Sequence, residues 1–152
     1  MENIDLRNLQ VDVVKNGNFE TIKINTNDGK NLGYFEYKIY SYEDDEEKYL
    51  YITNILVYPQ YQNLGIGQLL YKEFGKIYNE KFSGFELKRD FINPIAEYAY
   101  RKAIGLGWIP ESTLIEEKVR RSYNDADQDL VTDLRNKLPE NVRGPEVWAK
   151  IN

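Results

Sequence analysis

Along the first third of the chain, apolar and polar residues alternate with period two. Val11 and Val13, then Ile22 and Ile24, then Phe35, Tyr37 and Ile39 recur at alternate positions, the spacing that lines one face of a strand. Turn-forming stretches separate these runs: Lys15-Asn16-Gly17-Asn18, and Asn25 to Asn31 with Asp28-Gly29 inside it. The pattern predicts strands over about 10–14, 20–26 and 33–42. The acidic stretch Glu43-Asp44-Asp45-Glu46-Glu47 reads as a loop, and Tyr49 to Tyr58 as a near-continuous apolar strand stopped by Pro59. Such continuity predicts a central strand.

From Ile66 the period changes. Ile66, Leu69, Leu70, Phe74, Ile77 and Tyr78 fall on one helical face, which predicts an amphipathic helix of about three turns. Phe85 to Lys88 reads as a short strand. Asn93-Pro94 then opens a second helix, with Asn as N-cap and Pro at the first helical position, and Ile104-Gly105 is expected to end it. Beyond Trp108, Thr113 with Glu116 and Asp125 with Gln128 are spaced as capping boxes. Leu114, Ile115 and Val119, then Leu130, Val131, Leu134 and Leu138, keep helical spacing up to Pro139. Val147, Trp148 and Ile151, after Gly144-Pro145, are expected to dock as a closing strap. No repeat, low-complexity tract or linker interrupts the chain, so 1–152 reads as one domain. Its expected fold is mixed α/β, a mostly antiparallel central sheet flanked by helices.

Composition narrows the chemistry. The 152 residues include no His and no Cys, which removes disulfides, thiolate nucleophiles, Cys/His zinc sites and the commonest general base. Catalysis would have to use carboxylates, hydroxyls, amines, backbone amides or a borrowed reactive group, with no metal. The net charge of −5 argues against a nucleic-acid partner, which needs clustered Lys and Arg, and leans toward a cationic one. No apolar run reaches membrane-spanning length, and Met1 to Asp5 lack a basic region followed by an apolar one, so a cytoplasmic protein without membrane contact is expected.

The informative segment lies between the apolar strand and the first helix: Gln62-Asn63-Leu64-Gly65-Ile66-Gly67. Two glycines at alternate positions before a helix N-terminus let several backbone N–H groups converge on one point, backed by the positive end of the helix dipole. That makes a cradle for an anion such as a pyrophosphate. It lacks the Gly-Lys-Ser/Thr of a P-loop and the glycine spacing of the dinucleotide fingerprint. By itself the Gly-x-Gly serves equally as a tight strand-to-helix turn, or as a site for some other nucleotide.

Val57-x-Pro59 followed by Gln62-x-x-Gly65-x-Gly67, with Leu69 and Leu70 starting the helix, resembles the acetyl-CoA-binding segment of the GNAT superfamily of N-acetyltransferases. A second segment, Asn93-x-x-Ala96-x-x-x-Tyr100 with Gly107-Trp108 beyond it, is similar to a later motif of the same family. The resemblance covers about Lys48 to Trp108. It implies a GNAT-like fold with a CoA-binding core at 48–108 and a helical C-terminal extension at 109–152.

The resemblance further implies acetyl-CoA as acyl donor. Ile55, Leu56 and Val57, on a strand splayed from its neighbour, would pair with the pantetheine arm, and the amides from Gln62 through Asn63, Leu64, Gly65, Ile66 and Gly67 to Gln68 would hold the pyrophosphate, with Asn93 nearby. Tyr100 would protonate the leaving thiolate; the helical repeat puts it on the face of Asn93, Ala96 and Ile104 and turns Tyr98 away. Backbone amides around Leu56 and Val57 are expected to stabilise the oxyanion. The usual glutamate base of some family members falls near Tyr51 here, and Thr53 and Asn54 beside it are not strong bases. Glu36, Glu46 and Glu47 are base candidates by proximity in sequence alone.

The expected reaction is acetyl transfer to a primary amine by direct attack in a ternary complex. The acceptor would be a protein lysine, an N-terminus or a small cationic amine, drawn by residues 43–47 through a salt-sensitive field; a solvated hairpin tip explains the same charges. Arg120-Arg121 could meet nucleotide phosphates or simply face solvent. The family's two helices between the first two strands are missing, since only Lys15 to Phe19 separates them. The alternative is a non-catalytic CoA-binding or protein-interaction module on this fold. A homodimer stays open.

Overall fold

The computed structural model describes residues 5–41, 48–89, 94–110, 130, 132–134 and 136–142. The chain divides into two compact units, Met1–Arg89 and Asp90–Asn152.

In the first unit, β1 (Gln10–Asn16), β2 (Phe19–Asn25), β3 (Asn31–Ser41) and β4 (Lys48–Val57) form an antiparallel meander. Helix α1 (Ile66–Lys81) crosses over to β5 (Glu86–Lys88), which pairs parallel with β4. Sheet order follows chain order. The strands predicted from alternation are all present, with ends moved by one or two residues. No helix stands between β1 and β2. The two are joined by Gly17-Asn18, with Gly17 at φ 61°, a left-handed conformation glycine adopts without strain.

The core lies between the sheet and α1. Ile22, Ile24, Phe35, Tyr37, Leu50 and Ile52 point inward from β2, β3 and β4 against Ile66, Leu70, Phe74 and Tyr78 of the helix. Phe35 stacks on Phe74 with ring centroids 4.5 Å apart. Each such side chain contributes about 1.5–3 kcal/mol relative to exposure, enough to fix where the helix begins and which way it faces. With 16 residues, α1 is longer than the three turns its apolar spacing predicts, because Asn79, Glu80 and Lys81 extend it as polar residues.

Two expectations change. Alternation in β1 predicts one buried face, yet every residue of the strand is exposed. Val11 and Val13 pair with fully buried Ile24 and Ile22, but α1 packs over β2, β3 and β4 and leaves the edge uncovered. The apolar run of β4 predicts a central strand, whereas β4 is fourth of five and pairs with β5 only from Tyr49 to Tyr51. Its apolar second half is therefore not a sheet interior.

In the second unit, α2 (Pro94–Gly105) begins at the predicted proline; Asn93 lies outside the described residues. Its end is not set by Gly105. The amides of Gly107 and Trp108 donate to the carbonyls of Ile104 and Ala103, at 2.9 and 3.0 Å, and Gly107 sits at φ 80°. That is the Schellman pattern, with Gly107 as the left-handed residue. Gly105 instead serves packing, since a Cβ there would lie 3.4 Å from Pro139 Cγ and Val142 Cγ2. Those atoms belong to the segment leading into a 3₁₀ turn (Glu140–Val142). Fully buried Arg101 donates to the Val142 carbonyl at 3.3 Å, and Leu138 is buried beside the turn. Of the expected C-terminal extension, residues 130, 132–134 and 136 are helical. The capping boxes at Thr113 and Asp125, Arg120-Arg121 and the strap at 144–151 lie outside the described residues.

Candidate functional site

The first unit brings an unpaired strand edge against an uncapped helix start. Past Tyr51, β4 has no strand partner on its β5 side among the described residues. On its other side it stays bound to β3 as far as the Gly33–Val57 pair, after which the Tyr58 amide donates to the Leu32 carbonyl at 3.2 Å. The Leu56 carbonyl also faces β3, because a Cβ on Gly33 would come within 2.6 Å of it. Backbone groups alternate sides along a strand, so those of Ile55 and Val57 point to the open edge. This corrects the expectation for Leu56, whose backbone is turned inward. Gln62 Nε2 donates to the Val57 carbonyl at 3.2 Å, tying the loop to the end of the strand.

The loop turns sharply after the 3₁₀ turn Pro59–Tyr61, which buried Tyr61 anchors. Asn63 at φ 66° and Gly65 at φ 84° both take the left-handed conformation. Gly65 caps α1 without a side-chain hydrogen bond, and no acidic residue occupies the first turn. The first helical bond runs from the Leu69 amide to the Gly65 carbonyl, 3.0 Å. The amides of Ile66, Gly67 and Gln68 therefore precede the helical ladder and are directed out of the N-terminus, where the dipole favours an anion. Ile66 is buried against the sheet while Asn63, Leu64, Gly65 and Gln68 are exposed. At Gly67 a Cβ would meet only Val57 Cγ2, at 3.8 Å, so the protein itself does not require glycine there. That open space beside the outward-directed amides is the observation by which the residues fit a pyrophosphate.

Where the open edge begins, β4 carries a bulge. Glu36 pairs with Asn54 and Tyr37 with Ile52, leaving Thr53 as the extra residue. Thr53 Oγ1 donates to the Glu36 carboxylate at 2.8 Å, and Asn54 Nδ2 donates to the Tyr34 hydroxyl at 3.0 Å. This polar group occupies the sheet face opposite α1. Tyr51, in the position of the usual glutamate base, is half-buried. Sequence reasoning set Thr53 aside as no base and missed Gly33. An isolated glycine inside a strand pattern was the available signal for a close backbone approach.

Elsewhere, Tyr100 is buried on α2 with Ile104, whereas Tyr98 is half-buried, as the helical repeat predicts. Asn93, Glu46 and Glu47 lie outside the described residues. Among the described residues there is no group of three or more metal-ligating carboxylates, and no helix is long and apolar enough to cross a membrane.

Comparison with known proteins gives one family. The model of the acetyltransferase (GNAT) family matches residues 8–106. Among solved structures, an aminoglycoside acetyltransferase from an uncultured soil metagenomic sample, in complex with trehalose, is 24% identical, with 72% of this chain and 67% of that one covered and a TM-score of 0.48. An integron cassette protein from the mobile metagenome of V. cholerae is 21% identical over 78% of this chain and 68% of that one, TM-score 0.48. AAC(6')-Iy, in complex with a CoA bisubstrate analog, is 18% identical over 58% and 62%, TM-score 0.44. No curated protein matches.

Proposed function

Since this chain belongs to the GNAT acetyltransferase family and is accordingly an acyltransferase, we propose that it moves an acetyl group from acetyl-CoA to a primary amine of a cationic acceptor, by direct attack in a ternary complex. The observation that carries this reading is the open edge of β4, which ends beside an uncapped helix N-terminus. One element offers a row of backbone groups to an amide-bearing arm, and the other offers amides to a pyrophosphate.

The arm's length links the two. About twelve bonds separate the pyrophosphate from the sulfur of CoA, equivalent to about four residues at three bonds each, or about 13 Å extended. Gly67 adjoins Val57, and four residues back along β4 is Thr53. The thioester would then lie at the bulge. Its oxyanion donor would be the amide of the bulged residue Thr53, on the side of Ile55 and Val57, rather than those of Leu56 and Val57 expected from sequence. Bound acetyl-CoA supplies the activated carbonyl, which suits a chain with no His and no Cys. Ile55 and Val57 orient the arm, Ile66 to Gln68 hold the phosphates, and Tyr100 protonates the departing sulfur. The acidic balance of the chain favours a positively charged acceptor, either a small amine or a protein lysine or N-terminus, reached from the cytoplasm.

Calorimetry with acetyl-CoA followed by thiol release over a panel of amines tests this reading. Saturable binding and amine-dependent thiol release are expected. Tyr100→Phe should lower turnover while leaving acetyl-CoA affinity nearly unchanged. Binding without transfer to any amine would favour a CoA-binding interaction module, and no binding at millimolar acetyl-CoA would sink both.

A further inference from the structure

We propose that Glu36 is the general base of the transfer reaction, held in place by the Thr53 hydroxyl. The inference rests on the acetyl-transfer reading and adds to it the residue that takes the amine proton. Three observations converge. Glu36 sits at the bulge that marks the start of the open β4 edge, the place the arm's reach assigns to the thioester. Its carboxylate accepts a hydrogen bond from Thr53 Oγ1 at 2.8 Å, and its own backbone carbonyl is 3.1 Å from the same hydroxyl, so one contact fixes both side chain and strand. It lies on the polar face of the sheet, half-buried, so one carboxylate oxygen is engaged while the group stays accessible.

Among the described residues, no other carboxylate is paired across from Glu36 or lies two residues from it on the same face of β3. Glu36 faces Thr21 on β2 and Asn54 on β4 across the two ladders. Tyr34 and Lys38 lie two residues away on the same face of β3, paired with Lys23 and Tyr51. Phe35 and Tyr37, on the opposite face, pack against Phe74 of α1. Lys38 stands near the rings of Phe19 and Tyr40 at 5.5 and 4.7 Å, so it is drawn toward aromatic neighbours along the sheet. The position near Tyr51, where a glutamate base would otherwise be sought on β4, is filled by a phenol; the carboxylate comes instead from the adjoining strand.

The step balances as follows. An acceptor ammonium gives one proton to the Glu36 carboxylate and becomes a nucleophile. Its nitrogen forms a C–N bond to the thioester carbonyl carbon, and the C–S bond breaks as the tetrahedral adduct collapses. The second nitrogen proton ends on the departing thiolate, giving CoA thiol and the amide, and Glu36 returns its proton to water. A base matters here because an alkyl ammonium of pKa about 10.4 is almost wholly protonated at neutral pH, and a positioned base contributes about 10²–10⁴-fold.

The test compares wild type, Glu36→Gln and Glu36→Asp with two acceptors: an alkyl amine, protonated at pH 7, and a weakly basic amine such as an aniline, neutral at pH 7. With the alkyl amine, Glu36→Gln should lose at least about 100-fold in kcat with the KM for acetyl-CoA unchanged, and Glu36→Asp should recover part of that. With the weakly basic amine the deficit should shrink to under about 10-fold, since little deprotonation is left to do. An equal deficit with both amines would show a positioning or structural role and overturn the proposal, as would full activity of Glu36→Gln. Wild-type protein inert toward both amines would defeat the acetyl-transfer reading itself, and this proposal with it. Circular dichroism of each variant guards against misfolding.

Discussion

Replacing Gly67 by Ala separates what the protein needs from what a ligand needs. In the protein alone, the added methyl would meet only Val57 Cγ2, at 3.8 Å, an ordinary van der Waals contact. Gly67 is in the first turn of α1 without a positive φ, where Ala is the better helix former. Substitutions of this kind stabilise by about 0.4–1 kcal/mol, chiefly by restricting the unfolded chain. For a domain of this size that corresponds to about 1–4 °C in Tm. The same methyl stands where a phosphate would lie against the Gly67 amide. Losing that close approach should weaken acetyl-CoA by at least tenfold, about 1.4 kcal/mol. Thermal melting and calorimetry on one preparation read the two effects, which should have opposite signs. Unchanged affinity in a folded, slightly stabilised variant would refute the cradle. Reduced stability would refute the reading of Gly67 as free of intramolecular demands.

Gly33 is the contrasting case, and Gly33→Ala should destabilise by about 1–3 kcal/mol, the usual range for overpacking, because its Cβ would lie 2.6 Å from the Leu56 carbonyl oxygen and 3.2 Å from Val57 Cα. Denaturant titration reads the stability, and acetyl-CoA affinity should fall with it because the displaced backbone is the open edge. A variant with the wild-type midpoint would contradict the close β3–β4 approach. Burial and then the Glu20 hydrogen bond push the Tyr37 hydroxyl far above its ordinary value, and burial raises Tyr71 and Tyr78. Folded-state values above the unfolded value of about 10 mean that stability is intact below that pH and falls as pH rises beyond it, which urea midpoints between about pH 8 and 11.5 would register. Tyr37→Phe should cost about 1–3 kcal/mol at neutral pH, since it leaves buried Glu20 with Lys15 at 3.6 Å, and should make the alkaline decline shallower; an unaltered decline would assign it to other groups.

The local patterns were legible where the local cause dominates. Period-two runs found β1 to β3, and Pro94 found the start of α2, because alternation and a fixed φ act within a few residues. What failed depends on partners distant in sequence. Val11 and Val13 alternate like a buried face, but only the extent of α1 decides that they stay exposed. The apolar half of β4 looks like a sheet interior until β5 proves to pair with just its first half. Gly105 and Gly107 compete as helix stops, and the Gly107 and Trp108 amide bonds decide for the latter. Glu36 could be named from sequence only as one of three nearby carboxylates. Its link to Thr53, 17 positions away, exists only once the bulge sets the β3–β4 register. The Gly-x-Gly turn from β4 into α1 was readable because a strand, two glycines and a helix are contiguous.

Backbone hydrogen exchange with and without acetyl-CoA addresses the site most directly, because it reads the very amides assigned to it. Slowed exchange concentrated at residues 53–57 and 63–68 is expected on addition of saturating acetyl-CoA. Binding that leaves those two segments unprotected, or protects only other parts of the chain, would contradict the proposed site.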